Sequence, residues 1–152
     1  MASPQRQLAH VAVHMLFRDT GGSLLLARRR KTGFCDGLLF LVSGHVEEGE
    51  TVCAAGVREA AEEVGLTIKP SGMRVATVMH RPSPGTGRVY VDAFVVYEPP
   101  VAREDVTNLE PDKCAGLEWH GLPGLPNDTV DYIAHAVKCT QDGTSWVEWG
   151  WD

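Results

Sequence analysis

No apolar run in this sequence approaches the roughly 20 residues that a membrane-spanning helix needs, so no membrane partner is expected. The amino-terminal stretch, residues 1–13, lacks the long apolar segment of a secretory signal. Cysteine is sparse. Cys35, Cys53, Cys114 and Cys139 stand far apart, with neither a CxxC pair nor a Cys–His metal spacing. This pattern predicts reduced thiols in a cytoplasmic protein. Positive charge is in deficit, 14 basic against 20 acidic residues for a net charge of −6, which argues against nucleic-acid binding by charge alone. Internal repeats and low-complexity linkers are also missing. Residues 1–152 therefore read as one domain, with roughly the first seven residues and the carboxy-terminal tail as flexible ends. Hydrophobic residues make up 43%, enough for a real core at this length.

What is present is organised in short strands. Residues 8–17 alternate, with His10, Ala12, His14 and Leu16 on one face and Val11, Val13, Met15 and Phe17 on the other. A turn at residues 19–22 and a returning strand at 23–28 predict a hairpin. Residues 38–42 form an apolar run that reads as a single buried strand. Strands are further expected at 74–80, 88–97 and 114–119, with a loop at 81–87 and a flexible acidic loop at 103–110. Asn127 or Asp128 can cap a helix to about Lys138 that buries Val130, Ile133, Ala134 and Val137. The tail holds Trp146, Trp149 and Trp151 and must cover that surface on this domain, on a second subunit or near a ligand. The order of strands and helices fits a sheet between helices.

The stretch from Gly44 to Leu66 organises the rest. Gly44 and Gly49 supply backbone freedom, Thr51 is placed to cap a helix, and Gly65 sits where the helix must stop. Cys53, Val57, Ala60, Ala61 and Val64 form an apolar stripe at helical spacing. Glu59, Glu62 and Glu63 share another side. Like charges at this spacing destabilise a helix by roughly 0.2–0.5 kcal/mol per pair, and Arg58 can offset only one. A solvated acidic face is one reading, and a site for a hard divalent cation is the other. The spacing favours the second, because seven such fixed residues coincide by chance at about 10⁻⁸ per start position.

This stretch resembles the signature of the Nudix hydrolases without a gap: Gly44, five residues, Glu50, seven residues, Arg58-Glu59, then Glu62-Glu63 and Gly65-Leu66. The resemblance implies an α/β Nudix fold, a mixed sheet between helices in an α/β/α sandwich. It also implies hydrolysis of a nucleoside diphosphate linked to another moiety, with Mg²⁺, or Mn²⁺ in its place, as cofactor. Glu59, Glu63 and Glu62 are then metal ligands, together with the backbone carbonyl of Ser43. Family members commonly have glycine at the Ser43 position and proline at the Val42 position. A carbonyl needs no particular side chain, so the serine bears on the backbone angle alone. Arg58 and Glu50 are expected to orient the ligands. Gly44 and His45 are expected beside the phosphates.

Arg28-Arg29-Arg30-Lys31 reads either as a solvated strand end or as a positive rim that attracts phosphate, with Arg29 as the substrate-binding candidate. The general base is expected among Glu104, Asp105, Glu110 and Asp112, with Glu110 first. His10, His14, Phe34, Phe40 and Tyr90 either line a base pocket or fill the core, and core is the expectation for the aromatics. Residues 108–114, Asn-Leu-Glu-Pro-Asp-Lys-Cys, and then Glu118-Trp119 resemble a segment of MutT-type nucleoside triphosphate diphosphatases. A competing resemblance, Pro82 in a Pro-Ser-Pro-Gly loop, points to ADP-ribose diphosphatases, but the acid expected downstream is replaced by Thr86-Gly87-Arg88-Val89. The expected reaction is conversion of a (d)NTP to the monophosphate and pyrophosphate. ADP-ribose or a nucleotide sugar is the alternative substrate, and a ligand sensor without turnover is a third reading. The partner is a small-molecule nucleotide, and the chain is a monomer or a homodimer.

Overall fold

From Ala12 to Phe17 every residue is buried, so β1 (His10–Leu16) needs cover on both faces. The structure, a computed structural model describing residues 1–152, provides it. β1 lies antiparallel to β4 (Val42–His45) and parallel to β6 (Arg88–Tyr97). Beyond β6 come β5 (Met73–Ser83) and the edge strand β8 (Trp146–Glu148), giving the order β4-β1-β6-β5-β8. Helix α1 (Val52–Val64) packs on Val13, Met15, Ala93 and Val95. Helix α2 (Asp131–Asp142) packs on the opposite face, with Leu16, Met79, Phe94 and Val96. A mixed sheet between helices is the expected α/β/α arrangement. A second sheet, β3 (Leu39–Phe40), β2 (Leu24–Arg29) and β7 (Cys114–His120) in the order β3-β2-β7, sends Leu24 and Leu26 into one core and Leu25 into the other.

Several local expectations are corrected. β1 and β2 do not form a ladder and are joined by one bridge, Arg18 to Leu24, because β4 and β6 occupy both edges of β1. The run 38–42 divides at Leu41, with β3 in the small sheet and β4 in the large one; both halves are buried, so composition alone does not reveal the break. The expected loop at 81–87 is strand as far as Ser83. Val78 donates toward the β8 side, and Pro82, on the same side of the strand, lies beyond the end of β8, so its missing N–H breaks no ladder bond.

The segment 103–110 is not a loose loop. Thr107 N–H donates to Val64 O and Leu109 N–H to Glu63 O, both at 3.0 Å, satisfying carbonyls that the end of α1 leaves open. Neither Asn127 nor Asp128 caps α2. The helix follows Val130 without a side-chain cap, because Asp128 is committed to Arg28. α2 runs on to Asp142 and ends at Gly143, with φ 75°. Its buried side takes in Tyr132, Ala136 and Cys139, while Ala134 is only half-buried.

Helix α1 starts and stops as the sequence predicts. The Thr51 hydroxyl accepts from Ala54 N–H at 3.1 Å, and Gly65 closes the helix at φ 71°. Its inward face is rotated from the expected stripe. Ala55, Gly56, Ala60 and Val64 are buried, Cys53 and Val57 are half-buried, and Ala61 is exposed. Gly56 is the reason. A Cβ there would stand 2.7 Å from Met15 Sδ and from Met73 Cε, so the missing side chain lets α1 settle onto the sheet. The same rotation turns Glu59 and Glu63 inward. The tail contributes β8, the Trp149 ring lies tilted 4.7 Å from His135, and Trp151 Nε1 donates to His80 O, so the tail docks on this domain. Trp146 and Trp151 nevertheless stay 53% and 44% exposed, and the expected cover is only partial. No helix is long and apolar enough to cross a membrane.

Candidate active site

The strand β4 enters α1 through Ser43, Gly44 and His45, the opening residues of the Gly44–Leu66 stretch. Neither Ser43 nor Gly44 has a positive φ, so Ser43 carries no backbone strain. Gly44 is required for a different reason than the sequence suggests: a Cβ would collide with the Glu59 carboxyl and stand 2.8 Å from its Cγ. Ser43 N–H donates to Glu63 Oε2 at 3.3 Å. Both carboxylates are therefore drawn against β4.

Arg58 is the hub beside them. Its Nε and Nη2 hold Glu50 bidentately at 2.8 and 2.9 Å, Nη1 donates to Glu59 Oε1 at 2.7 Å and to Glu62 Oε2 at 3.4 Å, and Nη2 also reaches His45 O at 3.1 Å. Arg58, with help from Glu47 N–H, pulls the Glu50 pKa down to about 2. Glu59 and Glu63 move the other way. Burial raises Glu59 against the pull of Arg58. Burial, then the charges of Glu59 and Glu110, push Glu63 up to about 9. Glu59 thus has Arg58 as its one counter-charge, and Glu63 has none.

No three histidine, cysteine, aspartate or glutamate side chains converge on one point. Glu62 stays on the Arg58 side, half exposed. Glu59, Glu63 and the Ser43 main chain are thus the group that comes together, and their oxygen-only donor set suits Mg²⁺ or Mn²⁺. The room that Gly44 leaves for the Glu59 carboxyl supports that fit.

These residues line one part of a cleft of about 790 Å³. Of the four base candidates only Glu110 lines it; Glu104, Asp105 and Asp112 do not. Asn108 places it, accepting from Glu110 N–H at 3.1 Å while its Nδ2 donates to Cys114 O at 2.8 Å. The basic cluster is only partly a rim. Arg28 is consumed by Glu118 and Asp128 at 2.8 and 2.7 Å, and Arg30 and Lys31 are not part of the lining. Arg29 does line the cleft, tied to Phe34 O at 2.6 Å and lying over Phe40 at 4.8 Å. Lys113 and Arg88 line it as well. His45 stacks on Tyr90 and meets its hydroxyl at 3.2 Å; burial, then His10, lower its pKa.

The inner wall brings Asp92, Arg81 and Tyr132, which the sequence did not single out, together with His14 and Phe40, which it did. Asp92 is fully buried, with Oδ1 2.9 Å from His14 Nε2 and Oδ2 2.5 Å from Arg81 Nε. Burial works to raise the Asp92 pKa, but His14 and Arg81 outweigh it and the group stays ionised. His14 stacks on Phe94, and Tyr132 and Phe40 stand edge-on to it. Burial raises the Tyr132 pKa. Asp92 carried a signal, a lone acid in the apolar run RVYVDAFVVY on the face of Phe94 and Val96. Arg81 was hidden by the loop expected at 81–87. The aromatics also do more than fill the core: Phe40 and Tyr90 are buried yet line the cleft, and Phe34 is 40% exposed on its wall.

Known proteins share this architecture. A MutT NUDIX hydrolase from Burkholderia pseudomallei is 23% identical, with 87% of this chain and 98% of that one covered and a TM-score of 0.75. A MutT protein from Methanosarcina mazei Go1 is 20% identical, with 91% and 97% covered and a TM-score of 0.75. A bifunctional NMN adenylyltransferase/ADP ribose pyrophosphatase from Francisella tularensis, complexed with AMP and a Mn ion, is 17% identical; 93% of this chain matches 44% of that one, at a TM-score of 0.71. The model of the NUDIX domain matches residues 8–137, most of the chain, and so the protein belongs to the NUDIX domain family.

Proposed function

We propose that the protein is a Mg²⁺-dependent pyrophosphohydrolase that converts a (d)NTP to the nucleoside monophosphate and pyrophosphate. As a Nudix hydrolase it acts on a pyrophosphate bond of a small-molecule nucleotide. The observation that carries the reading is the Glu59–Glu63 pair, held inward against β4 and raised in pKa by burial at the wall of the cleft. Glu59, Glu63 and the Ser43 carbonyl would hold the cation, with Mn²⁺ able to replace Mg²⁺. A bound divalent cation shields phosphate oxygens and lowers the pKa of an attacking water. Arg58 keeps Glu59 in place and is itself held by Glu50. Glu110, Arg29 and Lys113 line the cleft, and on this reading Glu110 accepts the proton of the water while Arg29 and Lys113 neutralise phosphate charge. Gly44 and His45 border the same space. The chain acts as one domain, and its four free thiols fit a reducing, cytoplasmic setting.

What supports the triphosphate substrate is the turn at Asn108–Glu110, which resembles that of MutT-type enzymes, with Glu110 among the residues lining the cleft. The ADP-ribose reading loses support from Pro82, which is strand and not loop. The likeness to the ADP ribose pyrophosphatase keeps it as the alternative. A sensor without turnover would be expected to have lost box carboxylates, and none is lost here. The test is a panel of dNTPs, NTPs, ADP-ribose, nucleotide sugars and dinucleoside polyphosphates with Mg²⁺ and product identification. Release of monophosphate and pyrophosphate from triphosphates is the expected result. A clear preference for ADP-ribose would replace the reading, and no turnover on any substrate would favour the sensor.

A further inference from the structure

Arg81 is 5% exposed, yet the chemistry at Glu59 and Glu63 does not use it. Its Nε is committed to Asp92, and its guanidinium lies between the rings of Tyr132 and Tyr90, 3.8 and 4.6 Å from their centroids. A buried ion pair is a poor source of stability, because an apolar pair of the same volume serves as well or better. Around it this sheet face carries Leu16, Phe94 and Val96, and the buried polar side chains His14 and Thr77 find partners within the protein at Asp92 and Thr144 O. A reason beyond stability is therefore needed.

The free atoms supply it. Nη1 and Nη2 make no hydrogen bond within the protein, and neither is sealed from the cleft that Arg81 lines. The inner wall thus offers two coplanar N–H donors, clamped by tyrosine faces and fixed by Asp92. With Asp92 the group has no net charge, so it suits a neutral pair of acceptors better than a phosphate. Position agrees. Gly44 is on β4, and Arg81 is three strands away on β5 and three residues beyond the row of Gly44, so their backbones lie about 17 Å apart at a strand spacing of about 4.8 Å and a rise of about 3.4 Å per residue. That is the reach of an extended nucleotide and not of a single phosphate.

We infer that Arg81 is a specificity-determining residue whose two free N–H groups read the adjacent O6 and N7 acceptors of a 6-oxopurine, the base of a guanine or hypoxanthine nucleotide. The fork geometry of arginine matches that edge, whereas adenine presents an amino donor beside N7 and opposes one N–H with another. Tyr132 and Tyr90 flank the guanidinium and keep it from turning away. The inference rests on the nucleotide reading above, since it assigns the base of that substrate.

The test is calorimetric binding of GMP, IMP and AMP to the metal-free protein, which does not depend on turnover. GMP and IMP are expected to bind at least about tenfold more tightly than AMP. Arg81→Lys keeps a charge for Asp92 but loses the fork, and it is expected to bring the three within about twofold of one another while the melting temperature shows a folded protein. Should that variant not fold, 7-deaza-GMP on the wild type replaces it and is expected to bind at least about tenfold more weakly than GMP. Equal binding of AMP, a preference that survives in Arg81→Lys, undiminished binding of 7-deaza-GMP, or no binding of any of these nucleotides would overturn the inference. Hydrolysis of dGTP and dATP is measured in parallel. Absence of turnover on both counts against the proposed function, while the binding ratios still decide the role of Arg81.

Discussion

A methyl group on Gly44 would occupy the space held by the carboxyl of Glu59. Gly44 is an extended strand residue with no positive φ, so alanine suits its backbone, and the conflict lies with Glu59 alone. Gly44→Ala should therefore fold with a melting temperature near that of the wild type while Glu59 is displaced. A displacement of about 1 Å at a reacting centre is worth on the order of 10²-fold in rate, and a loss of about 10- to 100-fold in kcat is expected. Steady-state kinetics with a thermal melt checks both halves.

Arg58 joins Glu50, Glu59, Glu62 and the His45 carbonyl. Arg58→Lys keeps the charge but cannot hold Glu50 bidentately. Groups that orient ligands are worth about 10- to 100-fold in metal affinity or activity. The Mg²⁺ concentration for half-maximal rate should rise within that range, and titration of the rate with Mg²⁺ measures it.

Without metal, Glu63 binds its proton more tightly in the folded chain, at a pKa of about 9, than the usual carboxylate value of 4.5 in the unfolded one. Between these values the folded state holds the extra proton. Stability from this group is therefore fully present below about pH 4.5 and is lost as pH rises through about 9. The metal-free protein should become less stable over that window. Mg²⁺ needs the deprotonated carboxylate, so the upward shift it gives the melting temperature should grow with pH. Melts with Mg²⁺ and with EDTA at several pH values test this.

Asp92→Ala leaves the buried guanidinium of Arg81 unpaired and should destabilise the fold by about 3–5 kcal/mol. The double change Arg81→Met with Asp92→Leu should recover part of that loss, because it removes both charges together although buried His14 still loses its partner at Asp92. Urea unfolding of the single and double variants gives the comparison.

Local signals made much of this molecule legible in its sequence. Thr51 and Gly65 marked the ends of α1, since a hydroxyl cap and a left-handed glycine act within a few residues. The spacing of Glu50, Arg58, Glu59 and Glu63 carried the site. What stayed hidden depends on contacts between distant segments. The rotation of α1 is set by Gly56 against Met15 and Met73, which periodicity in one helix does not contain. The split at Leu41 lies inside a run that is buried on both sides of the break. Arg81 was masked by Pro82, whose turn-forming character is overridden where β5 extends past the end of β8, while the turn itself waits until Pro84. The anchoring of residues 107–109 follows from the open carbonyls of α1, a demand that becomes visible only once the helix end is placed.

The most direct test of the account is Glu63→Gln. The glutamine keeps the size of the side chain and can still accept from Ser43 N–H, while it removes the charge that a divalent cation requires. A native melting temperature and a fall in kcat of at least about 10²-fold on a nucleoside triphosphate with Mg²⁺ are expected. A folded Glu63→Gln protein that turns over within about threefold of the wild type would contradict it.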